Sequence, residues 1–301
     1  MNIRSFDELH GADEPILFSF KGLDIPLKFK AGSSDELVVL FHGVIHRESR
    51  DFPAFERFLP INSHQIALAD PALVDHPSII GTWFLGAEGR GQVEKISEFI
   101  RGLVGHLGIR RVVFVGGSSG GFAALLYSYL HPGSVAIAVS PQTRLKTYYS
   151  KFAEEFRQAL WPSSRSFDDL EYADLVRHYA KGTQNYPIVV MSSRDTGHLY
   201  HQVFPFVGGL PDSMYNKFIL DVGFWNVLGH PNSVPKEQYL HWLRAAISAP
   251  ELNADTLSRT HFALQSDVTR PEQPRVRSLE TSASDIAKAD LIGAYLLRGN
   301  G

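Results

Sequence analysis

"VVFVGGSSGGFAALL", residues 112–126, sets two adjacent serines between two pairs of glycines. An apolar run stops at Val115, and small and apolar residues of helical character resume at Gly121. The pattern reads as strand, tight turn, helix. Small neighbours allow a serine to occupy a turn too tight for bulky side chains, with its hydroxyl at the C-terminal end of the strand. The following helix then offers free N–H groups to a developing negative charge. Gly-x-Ser-x-Gly fits on both Ser118 and Ser119. Register favours Ser118, because Gly116 and Gly120 then flank it and the strand still ends at Val115. A phosphate-cradling loop is the competing reading, but no Lys-Ser or Lys-Thr pair follows. "GAEGRG" (86–91) lacks both the Gly-x-Gly-x-x-Gly order and a preceding strand.

The rest of the 301-residue chain has ordinary globular composition, with 44% hydrophobic and 20% charged residues. A formal net charge of −3 gives no field to attract nucleic acid or an anionic membrane. The absence of cysteine excludes disulfides, thiol catalysis and thiolate metal sites. No window approaches the roughly 20 apolar residues needed to span a bilayer, and the N-terminal stretch has no apolar signal core. The expectation is a cytoplasmic protein without a membrane span.

Short apolar runs alternate with helical periods, which predicts a mostly parallel sheet flanked by helices. "ILFSF" (16–20) and "IPLKFK" (25–30) read as an opening antiparallel pair. "LVVLFH" (37–42), "QIALAD" (65–70), "VAIAVS" (135–140), "PIVVMSS" (187–193) and "KFILDV" (217–222) read as further strands, giving about eight with the one before the serines. Helices are expected over 91–107, after the serines to Pro132, and over 235–248. Residues 144–185 are aromatic-rich and helical in period, and are read as a helical cap, with an enlarged crossover helix as the alternative. Residues 1–250 form the expected domain. Residues 251–301 read as a polar, mobile extension with a terminal helix over 284–299, through which the chain could dock on itself or form an oligomer.

At this point the chain resembles the α/β-hydrolase family, over roughly residues 15–250. "VGGSSGGFAAL" is similar to that family's nucleophile elbow. The resemblance implies a serine nucleophile at Ser118, followed along the chain by an acid and then a histidine, each in a loop after a later strand. Asp195, in "SSRDTGH", follows the 187–193 strand. The family's other acid position, after the strand at 135–140, offers only Ser140, Pro141 and Gln142. His230 is the one histidine between the last strand and the last helix. "VVLFHGVIH" resembles the family's His-Gly turn, which implies an oxyanion hole of the Val44 and Ser119 amides. His42 reads as a brace for that loop or a pocket-lining residue. Trp83, Phe84 and Trp225 are further candidates for lining a pocket.

The implied function is a serine hydrolase that cleaves an ester or related acyl bond of a small-molecule or glycan substrate, with no cofactor. The alternatives are an acyltransferase or deacylase using the same triad on a glycan or other alcohol, and a non-catalytic binding protein on the same scaffold. A metal site is the chemical rival: "DTGHLYH" spaces Asp195, His198 and His201 three residues apart, near one face of a helix. No acidic fourth ligand is obvious nearby, and the reading adopted has no metal.

Overall fold

The computed structural model describes residues 2–9, 12–45, 53–76, 78–148, 150–225, 230 and 233–267. Nine strands form one sheet: β1 (Asn2–Ile3), β2 (Ala12–Phe20), β3 (Leu23–Lys30), β4 (Glu36–Phe41), β5 (His64–Leu68), β6 (Arg111–Gly117), β7 (Val135–Val139), β8 (Tyr186–Ser192) and β9 (Ile219–Gly223). Their order is β1-β2-β3-β5-β4-β6-β7-β8-β9. β2 and β3 form the expected antiparallel hairpin, and β3 joins β5 antiparallel. From β5 to β9 all pairings are parallel. The ninth strand is the two-residue β1, too short to show any periodicity.

The apolar runs follow from burial on both faces of the sheet. Along β4, Leu37, Val39 and Phe41 enter one apolar layer with Phe99, Phe114 and Phe122. Val38 and Leu40 enter the opposite layer with Val113, Ile188 and Leu243. The principal helices covering these faces are α2 (Gln92–Leu107), α3 (Ser119–Tyr129) and α8 (Lys236–Ser248). Shorter helices are α1 (Pro71–Asp75), α5 (Leu175–Tyr179), α6 (Thr196–His198) and α7 (Phe204–Gly208).

The chain runs outward from β4 to β5, then returns to place β6 on the other side of β4. That reversal opens a crevice at the C-terminal ends of β4 and β6, the general ligand position in open parallel sheets. The register aligns the strand ends: Phe41 pairs with Gly116, Gly117 with Val139, and Ser192 with Gly223. The loops carrying His42, Ser118, Gln142, Asp195 and His230 therefore leave one edge of the sheet.

Between β7 and β8, the segment expected to cap the sheet contains α4 (Ser150–Leu160) and α5. Ala153, Phe156, Leu160 and Tyr179 join the main apolar layer, and the Trp161 indole donates to the Gly86 carbonyl at 2.9 Å. Beyond residue 250 the polar sequence is not an immediate linker: α9 (Ala254–Asp267) follows. Leu257 is fully buried, and His261 stacks on Trp242 with ring centroids 3.8 Å apart. The chain divides into two compact units, Met1–Leu264 and Gln265–Gly301. The expected terminal helix at 284–299 lies outside the described residues.

His131 follows α3, and both its ring nitrogens are buried without a hydrogen-bond partner among the described residues. Burial and the nearby Arg101 lower its pKa from 6.5 to about 4. The unfolded chain therefore binds this proton between pH 6.5 and 4, while the folded chain does not. The His131 contribution to stability is intact above pH 6.5 and falls as pH drops toward 4, by roughly 3 kcal/mol. Denaturant titrations across that range should show His131→Leu with a shallower loss of stability than the parent. Equal slopes would refute this assignment.

Candidate active site

The elbow is built by backbone contact. A Cβ on Gly116 would overlap the Gly120 carbonyl, and one on Gly120 would overlap the carbonyl of Phe41 and press on that of His42. Glycine at both positions lets α3 start directly on the ends of β4 and β6. Ser118, between them, takes φ 57 and ψ −119 and caps α3 without a side-chain hydrogen bond to the helix. Such a backbone costs a non-glycine residue on the order of 1–3 kcal/mol. It is held by Ser118 N–H to Val139 carbonyl at 2.9 Å and Phe122 N–H to Ser118 carbonyl at 3.1 Å.

Two histidines converge on Asp195. His230 Nδ1 lies 3.0 Å from Oδ2, and His198 Nδ1 lies 3.0 Å from Oδ1. The His198 backbone N–H also donates to Oδ1, at 3.4 Å. The imidazoles stack, with centroids 4.1 Å apart and planes 20° apart. Burial alone would raise the Asp195 pKa, but hydrogen bonds and charge interactions with His198 and His230 outweigh it and hold the carboxyl well below the usual range. Asp195 is thus a fixed anion with both oxygens engaged.

Gln142, in the loop after β7, connects this pair to the serine. Its Nε2 is 2.8 Å from Ser118 Oγ and 3.0 Å from His198 Nε2, and its Oε1 accepts from the Trp83 indole at 3.1 Å. An amide NH2 only donates, so His198 accepts at Nε2 and carries its proton on Nδ1, facing Asp195. That occupies both His198 nitrogens. His230 Nε2 is buried and has no partner among the described residues. Of the two histidines, His230 keeps the free basic nitrogen. Ser118 Oγ bonds Gln142 in this state, and no Ser118–His230 hydrogen bond occurs among the described residues.

The other sequence candidates fall into two groups. Gly43 abuts the elbow, since a Cβ there would lie 3.3 Å from the Gly117 carbonyl oxygen and 3.8 Å from Ser118 Cβ. Val44 follows it, and the Ser119 amide opens α3, where an N–H has no intrahelical acceptor. His42 is buried, its Nδ1 2.7 Å from the Gly43 carbonyl oxygen and its Nε2 accepting from the Asp70 amide at 3.1 Å. With both nitrogens used, it braces the turn. Phe84 packs in the core against Phe41 and His42. Trp225 packs against the second apolar layer. Trp83 is 1% exposed and donates its indole N–H to Gln142.

Asp195, His198 and His230 bring one ligand atom each within 4.8 Å of one another, which makes them the candidate metal group among the described residues. His201, the third ligand expected from spacing, is not in it. The geometry suits hydrogen bonding better, because stacked rings direct their in-plane lone pairs side by side. His201 instead lines a cavity of about 360 Å³ with Thr147, Tyr148, Gly197, His198 and Gln202. Sequence reasoning missed Gln142 as a site residue and the contact of His198 with Asp195. The three-residue spacing of Asp195 and His198 carried a signal for the second.

The fold is that of the α/β-hydrolases. No family model matches the sequence, and no curated protein matches it. Among solved structures, the chain is similar to the capsule O-acetyltransferase of Neisseria meningitidis serogroup A, with TM-score 0.57 and 16% identity, over 75% of this chain and 95% of that one. A histidine-to-alanine mutant of that enzyme in complex with CoA gives TM-score 0.54 and 16% identity, over 83% of this chain and 96% of that one. Dipeptidyl peptidase 4 of Porphyromonas gingivalis gives TM-score 0.52 and 14% identity, over 79% of this chain and 35% of that one.

Replacing Ser118 separates backbone strain from the hydroxyl. Ser118→Ala and Ser118→Gly both lose the Gln142 bond, but only glycine relieves the left-handed φ. Ser118→Gly should be more stable than Ser118→Ala by about 1 kcal/mol in urea denaturation. A less stable glycine variant would mean the turn is not strained.

Proposed function

We propose that this chain is a serine acyl hydrolase in which Ser118, His230 and Asp195 form the catalytic triad. The observation that carries the reading is the pairing of Asp195 with the His230 Nδ1 at the strand-end edge that also holds the strained Ser118 turn. His230 Nε2 takes the Ser118 proton as Oγ attacks the acyl carbon. The carbonyl electrons move to oxygen, where the Val44 and Ser119 amides donate. His230 returns the proton to the leaving group, and an ester on Oγ remains. Water, deprotonated by His230, reverses the sequence and releases the acid. The 360 Å³ cavity beside His198, with Tyr148 and His201 in its wall, suits a small acyl group or a sugar ring.

A second reading is supported by the likeness to the capsule O-acetyltransferase and to its CoA complex. Here an alcohol replaces water, and the acyl group passes to a glycan hydroxyl. The chemistry at Ser118 is the same, so hydrolysis and transfer are distinguished by the acceptor alone.

Turnover of p-nitrophenyl acetate and acetyl-CoA, with and without sugar acceptors, tests both readings. Ser118→Ala and His230→Ala should each lose on the order of 10⁴-fold in kcat. A fluorophosphonate should label the parent at Ser118, and Ser119→Ala should keep its activity because it retains the backbone amide. Activity surviving in Ser118→Ala would overturn the assignment. Acetylated sugar formed at the expense of free acetate would favour transfer.

A further inference from the structure

We propose that Gln142 is a catalytic residue whose amide N–H assists departure of Ser118 Oγ from the acyl-enzyme, so that it accelerates deacylation more than acylation. The inference rests on the acyl-enzyme reading given above and deepens it.

The direction of every bond around Gln142 is fixed. The Trp83 indole can only donate, so the atom 3.1 Å away is the amide oxygen. The NH2 then faces Ser118 Oγ at 2.8 Å and His198 Nε2 at 3.0 Å, one hydrogen to each. Gln142 is fully buried, and its backbone N–H also points to the Ser118 carbonyl oxygen, at 3.4 Å. Trp83 is itself held in a left-handed conformation, φ 52. The buried Asp70 carboxylate pins the loop around it by accepting from the Thr82 hydroxyl, and from the Phe84 amide at 2.7 Å. Turning the amide over would break three buried bonds together, so it is preorganised.

What the amide does depends on the state of Oγ. In the free enzyme Oγ is a hydroxyl oxygen and accepts this bond already. In the acyl-enzyme it is an ester oxygen whose electrons are shared with the carbonyl, and it accepts poorly. During deacylation the incoming water or alcohol has given its proton to His230 and bonded the acyl carbon. The C–Oγ bond then breaks, its electron pair passes to Oγ, and His230 returns the proton there. Gln142 donates to that developing charge. A bond weak in the starting state and strong in the transition state counts in full, whereas in acylation much of it is present beforehand and cancels.

The test is pre-steady-state kinetics with p-nitrophenyl acetate, with intact-mass detection of the acetyl-enzyme after acid quench. Gln142→Met keeps length and apolar bulk but has no donor. Its acylation rate should fall less than about threefold, while decay of the acetyl-enzyme slows about tenfold or more, the scale of one lost bond to a charged oxygen. Trp83→Phe retains the ring packing on Tyr148 and Phe156 but frees the amide to turn. It should show the same imbalance to a smaller degree, and it carries the test if Gln142→Met fails to fold. Equal slowing of both steps, or of neither, in a folded variant would overturn the proposal. A parent that forms no acetyl-enzyme on Ser118 would instead overturn the acyl-enzyme reading beneath it.

Discussion

Contact between Gly116 and Gly120 is the constraint from which the site follows. Removing both side chains brings α3 onto the strand ends until a glycine of the helix meets the carbonyls of Phe41 and His42. The backbone between them has no relaxed route, and Ser118 absorbs the mismatch at φ 57. The same contact sets the His42-Gly43 turn against the serine and leaves the Ser119 amide at the open start of the helix. Strain at one residue is thus tied to the position of several hydrogen-bond donors.

Asp195 adds a second layer of order. A lone imidazole on a carboxylate can rotate, and the carboxylate with it. Here each oxygen has its own histidine, and the farther side of His198 is tied through Gln142 to the serine. Asp195 and Ser118 are consequently joined by a route that does not pass through His230. The proposed base can exchange protons while the groups around it stay fixed by other bonds.

Much of this was legible from residues. The central strands announced themselves because burial on both faces demands unbroken apolar runs, as in β4, β6, β7 and β8. The serine turn was legible because close packing demands glycine at particular offsets. Asp195 and His230 are proposed from their places after later strands, and their side chains lie 3.0 Å apart. Helix α9 was hidden by its polarity, since it is anchored mainly by Leu257 and the His261 stack rather than a broad apolar stripe. Gln142 stands in the sequence only as a residue of the loop after the 135–140 strand: an amide neither titrates nor fits a motif, and its contacts arise only where the loops of Trp83, Ser118 and His198 meet. Spacing places His198 beside Asp195 but groups it with His201, because spacing along one loop cannot reveal a partner arriving from residue 230.

The burial of Trp83 has an optical side. Of the four tryptophans in the chain, Trp83 has its indole N–H on the amide that also touches the serine oxygen. Indole emission responds to the field along its N–H, and this one is shielded from water. The protein therefore contains an intrinsic fluorophore two hydrogen bonds from Ser118 Oγ, placed to register a change in that oxygen without any added label.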